Sequence, residues 1–218
     1  MDDSGGIRNL KCVLVGDSLV GKTNLIVSYT TGRYPSEYKP TNFDTYSVVV
    51  RVDRKPIRLQ LCDTAGQRHC ALRPLCYPGV DVMLLVYSTV DPCSFEAIVD
   101  YWLPEVTRSQ PTVPVVLVGT QTDRRSDPSI VASLARTGAH PITTTRGKEL
   151  AQKMHCEFAE CSALTQHNIK QVFDAAILCA LEGKKPPRVP SKGNSATAHA
   201  TRLKQGFQRF INLTKKII

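Results

Sequence analysis

The sequence predicts an α/β fold: a doubly wound, mostly parallel six-stranded sheet with one antiparallel hairpin at its edge. Three observations predict it. Apolar, strand-like runs alternate with helical patterns over residues 9–182. A Gly-rich stretch, Gly16-Asp17-Ser18-Leu19-Val20-Gly21-Lys22-Thr23, joins the first strand to the first helix and fits G-x-x-x-x-G-K-[ST]. Two runs of period 2 are separated only by the turn Asp53-Arg54-Lys55-Pro56.

The chain starts with residues 1–8, polar and Gly-containing, read as a flexible N-terminus without the basic and apolar blocks of a secretory leader. Leu10–Val15 reads as a buried strand, and Asn24–Tyr29 as the first turns of a helix. Strand, loop and helix in that order are the context a phosphate-binding P-loop needs. Its glycines let backbone N–H groups wrap around phosphate oxygens at a helix N-terminus. Lys22 is placed to reach β- and γ-phosphates, and the Thr23 hydroxyl to bind Mg²⁺.

Residues Thr30–Asp44 hold Gly32, Pro35 and Pro40 among polar neighbours and read as a long exposed loop. Tyr46, Val48, Val50 and Val52 then alternate along one hairpin strand, and Ile57, Leu59 and Leu61 along the other. The second strand runs into Asp63-Thr64-Ala65-Gly66-Gln67. An acid at a strand's C-terminal end, downstream of a P-loop, is placed to hold Mg²⁺ through water. Gly66 can bring its N–H to a γ-phosphate, and Gln67 can orient an attacking water.

Residues 81–88 read as a buried strand. Asp91 and Ser94 cap the helix that follows, with Phe95, Ile98, Val99 and Trp102 inward, and Trp102 reads as packing. Val113–Gly119 is another buried strand, with Asp123 beyond its C-terminal end, where open α/β sheets bind ligands. Asp127-Pro128-Ser129 opens a short helix through Arg136 inside an extra segment, 124–142. Arg146–Met154 reads as a helix, Glu157–Cys161 as the last strand and Asn168–Glu182 as the last helix.

With Tyr38-Lys39-Pro40-Thr41, Leu72-Arg73-Pro74-Leu75, Gly119-Thr120-Gln121-Thr122-Asp123 and Glu160-Cys161-Ser162-Ala163-Leu164-Thr165, these motifs resemble the Ras-like small GTPases. Within them the chain is most similar to the Rho family, nearest its Cdc-type and Wrch-type members. The resemblance covers roughly 9–182 and implies a P-loop NTPase fold with a Rho-type helical insert at 124–142. It implies GTP or GDP bound with Mg²⁺, the metal held by Thr23, Thr41 and Asp63. It places Gly16 to Asn24, Tyr34, Thr41, Asp63, Gly66, Gln67, Thr120, Gln121, Asp123, Ser162, Ala163 and Leu164 around the nucleotide. Tyr34 stands where the family packs an aromatic edge-on against guanine. The Asp123 carboxylate accepts from guanine N1–H and the 2-amino group, donors that adenine lacks. The Ala163 N–H takes guanine O6, and Ser162 braces that loop. Gln67, Lys22 and Thr41 are the catalytic set. A P-loop ATPase is the reading Asp123 disfavours. The insert serves either partner binding or no purpose beyond a tolerated loop.

Three departures from the family pattern bear on function. Ser18 and Leu19 stand where the family has Gly and Ala. A side chain at 18 competes with the arginine finger of an activating protein, worth about 10³–10⁵ in rate. Leu19 adds bulk that weakens nucleotide binding and speeds exchange. Between Gln67 and Leu72 stand four residues, Arg68-His69-Cys70-Ala71, in place of five, with Arg68 in place of Glu. Either recognition by exchange factors and activating proteins is altered, or the loop has drifted and still works. Finally, no cysteine follows Cys179, so the sequence offers no C-terminal prenylation box.

The net charge of +9 is uneven. Residues 183–218 hold nine of the 28 Lys and Arg and no acid, which leaves 19 basic and 19 acidic residues in 1–182. The body has no basic stripe or stacking platform for nucleic acid. Residues 183–201 read as a flexible linker. In 202–218, Leu203, Phe207, Phe210, Ile211, Thr214, Ile217 and Ile218 repeat with helical period opposite Lys204, Arg209, Lys215 and Lys216. That pattern suggests a basic amphipathic helix on an anionic membrane. A groove-binding helix, a helix docked on the body and disorder are its alternatives. Eight cysteines without a C-x-x-C pair fit reduced thiols rather than a disulfide frame or zinc site.

The expected function is therefore that of a monomeric Rho-like switch with weak or activator-insensitive hydrolysis, meeting effectors around Phe43 and Asp44. It is expected on the cytoplasmic face of a membrane, without a prenyl anchor, in cytoskeletal or membrane-traffic signalling. The alternative is a GTP-loaded scaffold that barely hydrolyses and is controlled by abundance or location.

Overall fold

A computed structural model describes residues 7–35, 43–68, 70–183 and 186–189, and the backbone of 215–216. β1 (Arg8–Val15) lies at the centre of the sheet. β4 (Val82–Ser88), β5 (Val115–Thr120) and β6 (Glu157–Glu160) follow on one side, all parallel. On the other side β3 (Lys55–Thr64) runs parallel to β1, and β2 (Phe43–Val52) pairs antiparallel with β3. These are the six strands the sequence predicts. The hairpin turn is tighter than expected: only Asp53 and Arg54 lie outside the strands, at φ 50° and 66°. Positive φ at both central residues matches the right-handed twist of a hairpin.

Period 2 divides β1 between two cores. Leu10, Cys12 and Leu14 face the side covered by α1 (Lys22–Thr31) and α6 (Ile169–Glu182). There Tyr29 stacks on Phe173 at 4.0 Å. Val13 and Val15 face the side covered by α2 (Pro92–Ala97), α3 (Leu103–Ser109) and α5 (Thr144–Met154). α4 (Pro128–Ala135) is the predicted insert helix; Asp127 caps it by accepting from Ser129 N at 2.8 Å, and none of its residues is buried.

The predicted helix after Asp91 is broken by a π turn, Ile98–Trp102, between α2 and α3. Pro104 supplies the cause. It has no N–H for the carbonyl of residue 100, and its ring would clash there, so the preceding turn widens. The predicted long loop is also shorter at both ends, because Thr30 and Thr31 extend α1 while Phe43 and Asp44 begin β2.

Two findings concern the tail. Within the expected linker, Pro187 is buried, and Arg188 N donates to Met154 O at 2.8 Å. Residues 186–189 therefore lie against the end of α5. Lys215–Lys216 form β7, paired antiparallel with Val50 and Arg51 of β2. At those two positions a strand replaces the expected helix; an edge strand's open backbone groups accept such a partner whatever the side-chain period. The rest of 202–218 lies outside the described residues. Among them, no helix is long and apolar enough to cross a membrane.

Candidate functional site

Gly16 ends β1 with φ 152°, and a Cβ there would fall 2.1 Å from the Val86 carbonyl oxygen. Only glycine lets β1 and β4 approach so closely where the P-loop begins. Gly21, at φ 93°, turns the loop into α1. Leu19 takes φ 65° without being glycine, with its side chain 71% exposed.

Four carbonyls of the loop are held from within. Lys22 Nζ donates to Gly16 O at 2.8 Å and Asp17 O at 2.9 Å. Gln121 Nε2 donates to Leu19 O at 3.0 Å, and Thr120 Oγ1 to Val20 O at 2.5 Å. A loop whose carbonyls are so tied presents its N–H groups to an anion. Lys22 is buried, and desolvation lowers its pKa to about 8, opposed by the nearby Asp63 charge. A bound phosphate would favour its charged form.

Asp63 is fully buried near the end of β3 and accepts from Thr23 Oγ1 at 2.5 Å. A hydroxyl and a carboxylate in contact are hard oxygen donors of the kind Mg²⁺ takes, so the residues fit the metal. Two residues after Thr64, Gly66 packs on the P-loop: a Cβ on it would lie 2.3 Å from Ser18 N and 2.5 Å from Ser18 Cα. The loop before β4 thus touches the phosphate cradle at Ser18. Gln67 follows with its side chain exposed, and its carbonyl accepts from Arg73 Nη2.

At the far end of β5, Asp123 Oδ1 accepts from Ser162 Oγ at 2.5 Å. Ser162 Oγ accepts from Thr165 N at 3.1 Å, and the Ser162 N–H donates to His167 O at 3.0 Å. One carboxylate oxygen is thus fixed, which sets the direction of the other. Ala163 O accepts from Ser28 Oγ at 3.4 Å and Gln166 Nε2 at 2.9 Å, leaving the neighbouring backbone in a defined pose. Leu164 is exposed. Asn24 Nδ2 donates to Tyr34 Oη at 2.8 Å, joining α1 to the segment after it. A cleft of about 320 Å³ joins Leu19 and Gln121 to Ile130 and Leu134 of α4, so the insert borders the P-loop tip.

The fold therefore brings together the P-loop, Asp63, Gly66 and Gln67, with Thr120 and Gln121 bonded to the P-loop's other side and Asp123 and Ser162 paired just beyond them. Thr41 and His69 lie outside the described residues. A network the sequence reading missed stands beside them. Arg73 is buried, chelates Glu105 with Nη1 at 2.9 and 2.6 Å, and lies 4.5 Å over the Trp102 ring. Tyr77 Oη also donates to Glu105, at 2.5 Å. Trp102 is packed as expected, but its Nε1 also donates to Asp17 Oδ1 at 3.0 Å. A lone Trp and an Arg before Pro were the only hints.

Comparison with known proteins bears on the family of the chain. The Ras family model matches residues 11–181. The chain is 52% identical over 178 residues to the Rho-related GTP-binding protein RhoV of Rattus norvegicus, an alignment that covers 80% of this chain and 75% of that protein.

Proposed function

The chain belongs to the Rho family of Ras-like small GTPases, and on that premise we propose that it is a switch whose GTP hydrolysis is slow and little stimulated by activating proteins. Binding GTP and GDP and hydrolysing GTP are what the family does; the rate is the proposal. The observation that carries it is the contact of Gly66 with Ser18. The loop holding Gln67 meets the P-loop backbone at Ser18, and in this reading a side chain at that position competes with an arginine finger. That finger is worth about 10³–10⁵ in rate.

In this reading Gln67 orients the water, Lys22 offsets phosphate charge and Asp123 selects guanine. Thr23, Asp63 and Thr41 would hold Mg²⁺, which when bound would supply charge neutralisation at the phosphates. Thr41 and Gly66 sense the γ-phosphate and set the effector surface at Phe43 and Asp44, both exposed at the start of β2. Exchange factors and activating proteins meet an altered loop at Arg68–Ala71. The acid-free segment 183–218 draws the protein to an anionic membrane at its cytoplasmic face, where cytoskeletal or membrane-traffic signalling takes place. The second reading, a GTP-loaded scaffold controlled by abundance or location, is favoured by Ser18 and the short loop.

Single-turnover hydrolysis, with and without a Rho-family activating protein, tests this beside Ser18→Gly. Slow, unstimulated turnover that Ser18→Gly makes responsive is the expected result. Turnover that stays unstimulated in the variant would move the cause to Arg68–Ala71. Strong stimulation of the unaltered protein would refute the proposal.

A further inference from the structure

Arg68 reverses the charge expected directly after Gln67, and the fold gives that charge a partner. Its Nε and Nη2 donate to Asp17 Oδ1 at 3.1 Å and Oδ2 at 2.7 Å. This is a bidentate pair, which fixes geometry as well as charge. Asp17 Oδ1 is shared with Trp102 Nε1, so one P-loop carboxylate joins three elements. On the other side of the same glutamine, Arg73 holds the carbonyls of Ala65 and Gln67 and lies over the Trp102 ring. Gln67 is therefore gripped from both directions. Both arginines run to Trp102, one through Asp17 and the other by stacking. A Glu at position 68 would meet Asp17 as a like charge.

We propose that Arg68 is a positioning residue for hydrolysis: by chelating Asp17 it ties the chain next to Gln67 to the P-loop and sets where Gln67 stands. This rests on the reading that Gln67 orients the attacking water. Its consequence is that the arrangement of the switch loop is partly built into the chain rather than left to a partner. Because the chain has one Trp, and its N–H sits on the same carboxylate, Trp102 emission reports whether the pair is made.

The test uses the full chain loaded with GTP. Arg68→Ala is expected to slow intrinsic single-turnover hydrolysis about three- to fivefold, the range for a half-exposed ion pair. GDP affinity and the melting temperature should stay unchanged, since Arg68 packs in no core. Raising salt should slow the unaltered protein toward the variant's rate and leave the variant unmoved, because the pair is open to screening ions. Trp102 emission should shift in Arg68→Ala and shift likewise with salt in the unaltered protein. Arg68→Lys, which keeps charge but loses the fork, should fall between the two in rate.

Hydrolysis by Arg68→Ala as fast as, or faster than, the unaltered protein would overturn the proposal, as would Trp102 emission indifferent to both substitution and salt. Gln67→Ala separates the proposal from its premise. If that change leaves the rate intact, the premise fails and the proposal with it. If Gln67→Ala slows hydrolysis and Arg68→Ala does not, only the positioning role is refuted.

Discussion

Replacing Gly66 by Ala tests the junction on which the functional reading depends. The added Cβ would lie 2.3 Å from Ser18 N, 2.5 Å from Asp17 C and 2.5 Å from Ser18 Cα. All three are backbone atoms, so no side chain can swing aside. Ordinary carbon contact begins near 3.4 Å, so the loop and the P-loop must part by about 1 Å. A displacement of that size between reacting groups costs about 10²-fold in rate. The proposed base-binding pair lies elsewhere: Asp123 and Ser162 hold their bond to each other independently of Gly66. Gly66→Ala should therefore keep GDP affinity within about threefold while intrinsic hydrolysis falls about 100-fold. Single-turnover hydrolysis and a fluorescent-GDP titration on the same preparation would measure both. Hydrolysis within threefold of the unaltered protein would refute the geometric argument, because it would mean that Gln67 acts without this contact. Equal loss of GDP affinity and hydrolysis would refute it differently, by showing that the P-loop itself collapses.

Two further outcomes follow from the same geometry. Asp123→Ala removes the carboxylate proposed to accept from two guanine donors; charged hydrogen bonds of about 1.5–3 kcal/mol each put the expected loss of GDP affinity at about 10²–10⁴-fold. Inosine diphosphate lacks the 2-amino group, so competition titration should show a preference for GDP in the unaltered protein and none in the variant. Arg73→Ala leaves the largely buried Glu105 carboxylate without its guanidinium. Breaking such a pair costs about 3–5 kcal/mol, which for a domain of this size lowers Tm by roughly 6–20 °C. Thermal unfolding of the GDP-bound protein measures it, and a drop below about 2 °C would mean that the ion pair and its stacking on Trp102 carry no net stability.

What the sequence shows and what it hides divide along chain separation. The strands of the sheet are legible because burial on one or both faces writes itself into each run: Leu10, Cys12 and Leu14 toward one core, Val13 and Val15 toward the other. The P-loop is legible because each part of its demand is local, down to the glycine that Val86 O will not let grow a Cβ. The π turn left a trace in Pro104, whose missing N–H falls inside an otherwise helical pattern. Lys215–Lys216 left none, since helical period says nothing about whether the backbone of β2 has a free edge. Asp17 is the instructive case. Within its motif it is a variable position, yet its partners Arg68 and Trp102 lie 51 and 85 residues away. Taken alone, Arg68 looks like the loss of an acidic contact for regulators. Opposite Asp17 it becomes an acid–base pair that closes the switch loop onto the P-loop. The substitution proposed to alter a partner's grip thus supplies a tether of the chain's own, and if Ser18 competes with an arginine finger as proposed, the chain has more use for the second than for the first.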